Sequence, residues 1–510
     1  MKRFAILFFA LVILISMAAC NRANNAAGAS GQASTAASHG VINFNEEPYT
    51  LVVCYPVLSE ANPDLQLIEE AINRITLREI NARVQFEAVG LFSMANIYAL
   101  RASSREKTDL MMIMPGYNYL APFASNRMIQ PIGLQIEEWG PAIKQILGNL
   151  LQAGTYRGEQ YAVPQNSELL TNAYGFNLSV PLSEKHGIAI ENIKSIEDLE
   201  AAFEIIRRNE PGVVVVTPEQ SGSSILLVLQ GKTDNLGTRV AALQTDAYGK
   251  LTAVHGAGQS SYMDAARKVR EWYQRGFISR DVATTPESGS QMLWGGRAFA
   301  TAAPSLGPEM GGFQMGTQWR AVMLKNEIFV TTSDSQTFMW TVPTSNARVD
   351  KAVQFLNLAF ESYEIANLFR YGIEDNHHRI LPDGSAQLVN TAGWQYNWNV
   401  LGDIFKIRRR DDSVAAAGVP IDEIGKMADA WNARAVFSPA YGFIFDPTAV
   451  RTEIAACDTV RDEFERMIGN GTVDPETEIP RFLRRLNEAG AQRVIEEVQR
   501  QLDEWAAVQR

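Results

Sequence analysis

The sequence predicts an α/β protein made of two successive sheet-and-helix units and closed by a helical C-terminal extension. Three observations carry this. Apolar runs of strand length alternate with helix-period segments from about residue 50 onward. The first strand runs are apolar on both faces, as strands buried in a parallel sheet are. Beyond about Asp446 the strand pattern stops and capped helices follow.

Taken in order, Leu51 to Val57 is a nearly continuous apolar run, and Asp64 to Ile80 sets Leu65, Ile68, Ala71, Ile72 and Ile75 on one helical stripe. Val84 to Val89 alternates as a strand, Met94 to Ser103 reads as a helix, and DLMMIMP (Asp109 to Pro115) is another buried strand. Right-handed crossovers place such a β-α-β-α-β order in one parallel sheet. GEQYAVPQN and NAYGFN open the second unit as strands. Ser195 and Asp198 form a capping signal ahead of the helix IEDLEAAFEIIRRN. GVVVVT (Gly212 to Thr217) is a buried strand, and Tyr262 to Arg275 is an amphipathic helix ended by Gly276. Short strands follow in AFATAAP, AVMLK, IFVTT and TFMWTVP, then one helix from about Val349 to Tyr371 stopped at Gly372. Asp446-Pro447 and Asp474-Pro475 each set a carboxylate cap before a proline at the first helical position. The helices behind them run from about Thr448 to Ile468 and Glu476 to Glu488, and a last one from Ala491 to Ala507.

The N-terminus carries Lys2 and Arg3, an apolar run from Phe4 to about Ala19, and then Cys20. This is an export signal, too short to span a bilayer comfortably. Met17-Ala18-Ala19-Cys20 resembles the bacterial lipobox, which implies a signal peptide over 1–19 and a diacylglycerol on the Cys20 thiol. Two or more acyl chains anchor stably in a lipid bilayer. An ordinary cleaved signal peptide is the alternative. Residues 20–47 are rich in Asn, Ala, Gly and Ser without apolar periodicity and read as a flexible tether.

A chain of 510 residues, 46% hydrophobic and 20% charged, is a soluble globular composition with more material than one core serves. A net charge of −11, with Lys406 to Arg410 as its one basic run, argues against a nucleic-acid partner. Cys54 in LVVCYPV reads as a buried free thiol; whether it pairs with Cys457 the sequence leaves open.

The order GEQYAVP, YGFN, REWYQRGFISRD, GRAFATAAP and VPTSNARVDKAVQFLNLAF resembles extracellular solute-binding proteins of bacterial ABC importers (family 1). YGIEDNHHRI and the ending GFIFDPTAVRTEIAA with VIEEVQRQLDEW look like the LipO-like lipoprotein subgroup, which has an additional C-terminal domain. The resemblance covers residues 48–508. It implies a two-lobe periplasmic-binding-protein-like fold of type II, with a hinge and a solute held between the lobes. Residues 48–164 with 300–340 are expected in lobe 1, 165–299 with 341–400 in lobe 2, and 401–510 in the C-terminal extension. The two sheet units independently place a cleft at the C-terminal ends of their strands. Crossings are expected near Val163 to Asn166, Ala300 to Pro304 and Trp340 to Pro343. The family likeness implies capture of a polar solute, a carbohydrate or oligosaccharide, and its delivery to an ABC transporter permease. It implies a lipid-anchored, extracytoplasmic monomer without cofactor. The alternatives are a surface carbohydrate-active enzyme and a peptide-binding lipoprotein.

In the stretch YGIEDNHHRI two histidines adjoin two carboxylates. In an extended segment His377 and His378 point to opposite faces, and Asp375 and His377 share theirs with Arg379, whose charge opposes a metal. The stretch therefore reads as a helix C-cap followed by a structured turn. No G-x-S-x-G, H-E-x-x-H or Walker motif is present, and GPEMGGFQMG (Gly307 to Gly316) lacks a phosphate-loop lysine, so no catalytic residue is expected. Tyr55, Tyr117, Asn118, Asn166, Tyr174, Trp294, Trp340 and Trp394 fall in or beside the loops expected at the cleft, with Ser305 and His378 as further contacts. Flat rings face the C–H surface of a sugar while amides and hydroxyls bond its hydroxyls, which favours a polar, uncharged ligand.

Overall fold

The computed structural model of the chain describes residues 40–57, 62–91, 93–114, 120–167, 169–220, 223–306, 318–324, 328–395, 401–408 and 421–509, without the side chains of 304–306, 405 and 421–425. The signal segment, Cys20, most of the tether, Tyr117, Asn118 and all of GPEMGGFQMG lie outside these residues, as does the side chain of Ser305.

The first lobe begins with β1 (Tyr49–Val57), α1 (Leu65–Ile80), β2 (Ala82–Gly90), α2 (Met94–Ser104), β3 (Leu110–Ile113) and β4 (Ala162–Pro164). β1 pairs in parallel with β2 along its length and with β3 through Val53 and Cys54. Its alternation serves two cores: Leu51, Val53 and Tyr55 pack on the side of α1, and Val52 and Cys54 face Met94 and Tyr98 of α2. Ile68, Ala71, Ile72 and Ile75 are buried, as the stripe on α1 predicts.

The second lobe holds β5 (Ala173–Ser179), α3 (Ile196–Asn209), β6 (Val214–Pro218), α4 (Ser260–Gln274), β7 (Ala298–Leu306) and β8 (Trp319–Val322). These strands form one sheet in the order β8-β5-β7-β6, with β5 antiparallel to both neighbours and β7 parallel to β6. The predicted cap is a reciprocal box: Asp198 N–H donates to Ser195 Oγ at 3.1 Å and Ser195 N–H to the Asp198 carboxylate at 3.0 Å. Under the sheet, Phe176, Phe203, Trp272, Phe277 and Phe299 form one ring cluster.

The chain then returns to the first lobe as β9 (Met339–Thr341), inserted antiparallel between β3 and β4, so that the first sheet runs β2-β1-β3-β9-β4. The helix expected over Val349 to Tyr371 is two, α5 (Val349–Glu361) and α6 (Tyr363–Tyr371). Ser362 between them is extended and its hydroxyl accepts the Ile365 N–H at 3.1 Å, a cap that sequence periodicity passes over. Gly372 ends α6 at φ 77°, as expected. The C-terminal helices are α7 (Arg451–Gly469), α8 (Pro475–Glu488) and α9 (Ala491–Val508). Asp446 and Asp474 act as the predicted caps, accepting from Thr448 N and Glu476 N at 3.0 and 3.1 Å.

The expected segmentation needs correcting in three places. β7 and β8 belong to the second sheet, so 300–306 and 319–322 lie in the second lobe and not the first. α5 and α6 bury Val353, Phe355, Leu356 and Phe369 against α1 and β2, so 341–395 lies in the first. Short apolar strands such as AFATAAP do not declare their partners; register and sheet choice are set by tertiary packing. Third, the C-terminal helices are not an appendage. Cys457, Phe464, Phe482 and Val494 share one continuous core with Val269 and Trp272 of α4.

The lobes are joined by three crossings among the described residues: 165–172 between β4 and β5, 323–338 between β8 and β9, and 438–446 on the way to α7. Ala300 to Pro304, expected as a crossing, is the interior of β7. A short parallel pair, Ile328–Val330 with Ala435–Phe437, ties the second crossing to the third. Along the third, Phe443 and Phe445 enter the second-lobe core while Ile444 packs against the first. Cys54 and Cys457 are both free and buried, one in each lobe. Burial pushes the Cys54 thiol up to about 12. Among the described residues no helix is long and apolar enough to cross a membrane.

Candidate functional site

Strand direction decides which edges face the crossings. In the first sheet Val57, Gly90, Ile113, Met339 and Pro164 share one edge, and the first two crossings meet the sheet there. In the second sheet Pro218, Leu306, Ala173 and Val322 share the corresponding edge. Both edges are the C-terminal ends of the parallel strands, the usual place for a ligand in an open α/β sheet.

The hinge side of this cleft is held by polar contacts. Asp334 in the second crossing accepts from Thr171 Oγ1 of the first at 2.9 Å and pairs with Lys232 of the second lobe at 2.6 Å. Asp446 in the third crossing accepts from two first-lobe hydroxyls, Ser125 at 2.8 Å and Tyr156 at 2.9 Å. Burial alone would raise the Asp446 carboxyl, but bonds from the Thr448 hydroxyl and N–H, Ser125 and Tyr156 outweigh it and hold it below the usual carboxylate range. A depressed folded value means that this tie is complete above the unfolded value of about 3.9 and is lost as pH falls through the lower folded one. Acid unfolding followed by circular dichroism should therefore be less steep below about pH 4 in Asp446→Asn than in the parent chain.

Two cavities lie on the second-lobe edge. One, of about 370 Å³, is bounded by Asn172, Tyr174, Ser195, Lys232, Leu324 and Phe329. The other, of about 340 Å³, extends from Tyr174 toward α7. On the first-lobe edge, Asn62 Oδ1 accepts the Gln395 N–H at 3.2 Å, and Asp64 N–H donates to Gly393 O at 3.0 Å. His377 completes this corner. Its Nδ1 accepts the Ile373 N–H at 2.9 Å, which places the proton on Nε2, 3.0 Å from the Asp64 carboxylate. The histidine stretch is thus a turn bolted to the loop after β1, with Asp375 at φ 64°.

The expected contact residues divide sharply. Tyr174 lines both second-lobe cavities. Asn166 sits in the first crossing, but its amide is spent on Asp403 at 2.8 Å. Tyr55, Trp340 and Trp394 are at most 2% exposed and lie in the first-lobe core, Tyr55 edge-on to Phe369 at 5.2 Å. They are packing residues in this conformation, because an aromatic in a strand bordered by helices buries more apolar area inward than at the edge. His378 is also buried, its ring 5.5 Å from Tyr371, and burial lowers its pKa. Trp294 is 49% exposed but ends the helix Gly289–Trp294, whose opposite end touches the cleft edge through Ser290 N–H to Glu219 O at 3.0 Å. Ser305 lies near the cleft end of β7. Sequence reasoning missed Asn62 and Gln395, which no motif marks, and the residues of α7 at the second cavity.

That second cavity depends on a close approach. Ser224 Oγ donates to Gly469 O at 3.2 Å, Ile225 N–H to Asn470 Oδ1 at 3.3 Å, and Asn470 Nδ2 to Ser223 O at 3.1 Å. A Cβ at Gly469 would overlap the Ser224 hydroxyl. Gly469→Ala should cost about 1–3 kcal/mol in chemical denaturation, as overpacking does.

Comparison with known proteins agrees with this architecture. Residues 439–507 match the family described as "Domain of unknown function (DUF3502)". Over 452 residues the chain is 24% identical to a carbohydrate ABC transporter substrate-binding protein of Streptococcus pneumoniae serotype 4, covering 85% of this chain and 86% of that one. The N-glycan transport solute binding protein (NgtS) from Streptococcus pneumoniae has a similar structure, with TM-score 0.72 and 20% identity over 91% of this chain and 100% of the other. A human-milk-oligosaccharide (HMO) binding, ABC-transporter associated solute binding protein from Bifidobacterium longum infantis follows with TM-score 0.64 and 13% identity, over 90% and 99%. The paired sheets, the hinge crossings and the likeness along the whole folded chain give it the two-lobe fold of these solute-binding proteins, and its ending matches the additional C-terminal domain.

Proposed function

We propose that the chain captures an oligosaccharide between its two lobes and presents it, chemically unchanged, to an ABC transporter permease. On this reading Cys20 anchors it at the extracytoplasmic face of the membrane through the tether of residues 20–47. The observation that carries the reading is the pair of strand edges facing each other across three crossings, with cavities at Tyr174 on one side and a polar corner at Asn62 on the other. Contacts made by both lobes at once exist only when the cleft is shut, so a bound solute shifts the population toward closure by its differential affinity. Similar proteins support a saccharide: NgtS has been crystallised with Man1GlcNAc and with Man5GlcNAc.

A thermal-shift series on the soluble chain with mannose-containing N-glycan fragments, milk oligosaccharides and peptides tests this. A ligand held at 100 times its Kd should stabilise by about 2.7 kcal/mol, and small-angle scattering should show compaction. Stabilisation by peptides alone, or release of new reducing ends from the saccharide, would replace capture of sugar by one of its rivals.

A further inference from the structure

The cavity of about 340 Å³ where the second lobe meets the C-terminal domain is walled in part by Tyr174, Ser223, Arg239, Arg461, Glu465 and Arg466. Tyr174 opens the second-lobe edge of the cleft, and Ser223 lies in the loop after β6 at the same edge. The hydrogen bonds that Gly469 O accepts from Ser224 Oγ, and that Asn470 accepts from Ile225 N–H and donates to Ser223 O, fix α7 beside it. Arg466 stands one helical turn before Asn470, whose Nδ2 donates to its carbonyl at 3.1 Å.

The charge of this wall runs against that of the chain. The protein has a net charge of −11, yet three guanidinium groups line the cavity against one carboxylate. Arg239 is satisfied, pairing with Glu465 at 2.9 Å and lying 3.6 and 3.5 Å from Asp458 and Asp462. Arg461 shares Glu465. Arg466 makes no side-chain hydrogen bond or ion pair with any described residue, and its Nε, like that of Arg461, is buried without an acceptor. His255 beside Arg461 brings no negative charge: burial first, then the Arg461 charge, push its pKa down to about 4, so the ring is neutral. A partly desolvated guanidinium without a counter-charge is costly, and a planar pair of oxyanion oxygens matches its donor fork.

We propose that this cavity is an anionic subsite of the cleft, where Arg466, with Arg461 behind it, binds a carboxylate or an ester-linked phosphate carried by the captured saccharide. The assignment rests on the saccharide-capture reading, and it replaces the uncharged ligand expected from the aromatic content. It gives the C-terminal domain a task, choosing the charge of the solute.

The test is calorimetry on the full soluble chain with a glucuronate-terminated disaccharide and its glucose-terminated counterpart. Arginine Nε–Hε resonances are followed in parallel while free glucuronate or inorganic phosphate is added. The acidic disaccharide should bind about tenfold more tightly, a difference that shrinks with added salt. Arg466→Gln should bring the two affinities together without lowering the melting temperature; Arg466→Lys, which keeps the charge, should restore part of the gap. A resonance moved by phosphate and not by glucuronate assigns the subsite to phosphate esters. Equal affinities with an unmoved Arg466 resonance would overturn the subsite and leave neutral saccharide capture standing. A resonance moved by either anion while neither disaccharide binds would keep the anion site and remove the capture reading.

Discussion

Deleting residues 451–510 is expected to abolish the cooperative unfolding transition of the second lobe and not merely to trim a module from its surface. The reason lies in where the apolar faces of α7, α8 and α9 go. Cys457, Val460, Phe464 and Ile468 on α7, Ile479, Phe482 and Leu486 on α8, and Val494, Val498 and Leu502 on α9 are all buried. They join a core that already contains Ala241, Tyr262, Val269 and Trp272 of the lobe itself. Phe464 and Phe482 stack within it at 5.3 Å. The polar joints follow the same course: Ala253 N–H donates to Gln499 Oε1 at 2.7 Å, and Arg270 Nη1 to Gly471 O at 2.8 Å. A single truncation such as Phe482→Ala should already cost about 3–5 kcal/mol, a large part of the 5–15 kcal/mol by which a domain is stable. Removing three helices exposes the second-lobe side of that core to water as well. Calorimetry should show the first-lobe transition alone, with dye binding to exposed apolar surface. Two transitions unchanged in the deleted chain would mean that the C-terminal domain folds apart from the lobe.

Where the sequence was legible, the signals were local. The both-face apolar run at Leu51 to Val57, the stripe on α1, the Ser195 box, Gly276, Gly372 and the two Asp-Pro caps are each decided within a turn or two of chain, and each sits where the pattern puts it. Assignment of strands to lobes was not local. Nothing in AFATAAP says that it inserts between β5 and β6, because a run of small apolar residues suits the interior of either sheet. The expected ligand residues suffered from the same limit. Tyr55, Trp340 and Trp394 are large rings near strand ends, yet large rings are also what a lobe core of this size needs, and the core takes them. Tyr174 reached the cleft because β5 starts at the edge, a fact of topology. Arg466 was invisible for a sharper reason: on a helix rich in Arg and Glu an unpaired arginine looks like its paired neighbours until the partners are placed.

Replacing Asp334 by Ala is expected to loosen the hinge and lower stability by about 3–5 kcal/mol, the range for breaking a largely buried ion pair by removing one partner. Asp334 Oδ1 takes hydrogen bonds from Lys232 Nζ and Thr171 Oγ1, and Oδ2 takes them from the Thr331 N–H at 2.7 Å and hydroxyl at 2.6 Å. Lys232 and Thr171 are themselves in hydrogen-bond contact, so the ammonium, the hydroxyl and the carboxylate form one closed triangle between the first crossing, the second crossing and the second lobe. The side chains of Lys232 and Asp334 are only 15% and 20% exposed, which leaves the ammonium poorly hydrated once the carboxylate is gone. Asp334→Asn keeps an acceptor for Thr171 and removes the charge, so it should fall between the parent and the alanine variant. Because two crossings lose their common anchor, the alanine variant should also show a broader distribution of interlobe distances in small-angle scattering and a weaker response to ligand, since a cleft that closes in many ways gains less from any one of them. A melting temperature and scattering profile equal to those of the parent would show that the triangle carries no load in the hinge, and that the parallel pair Ile328–Val330 with Ala435–Phe437 sets its stiffness instead.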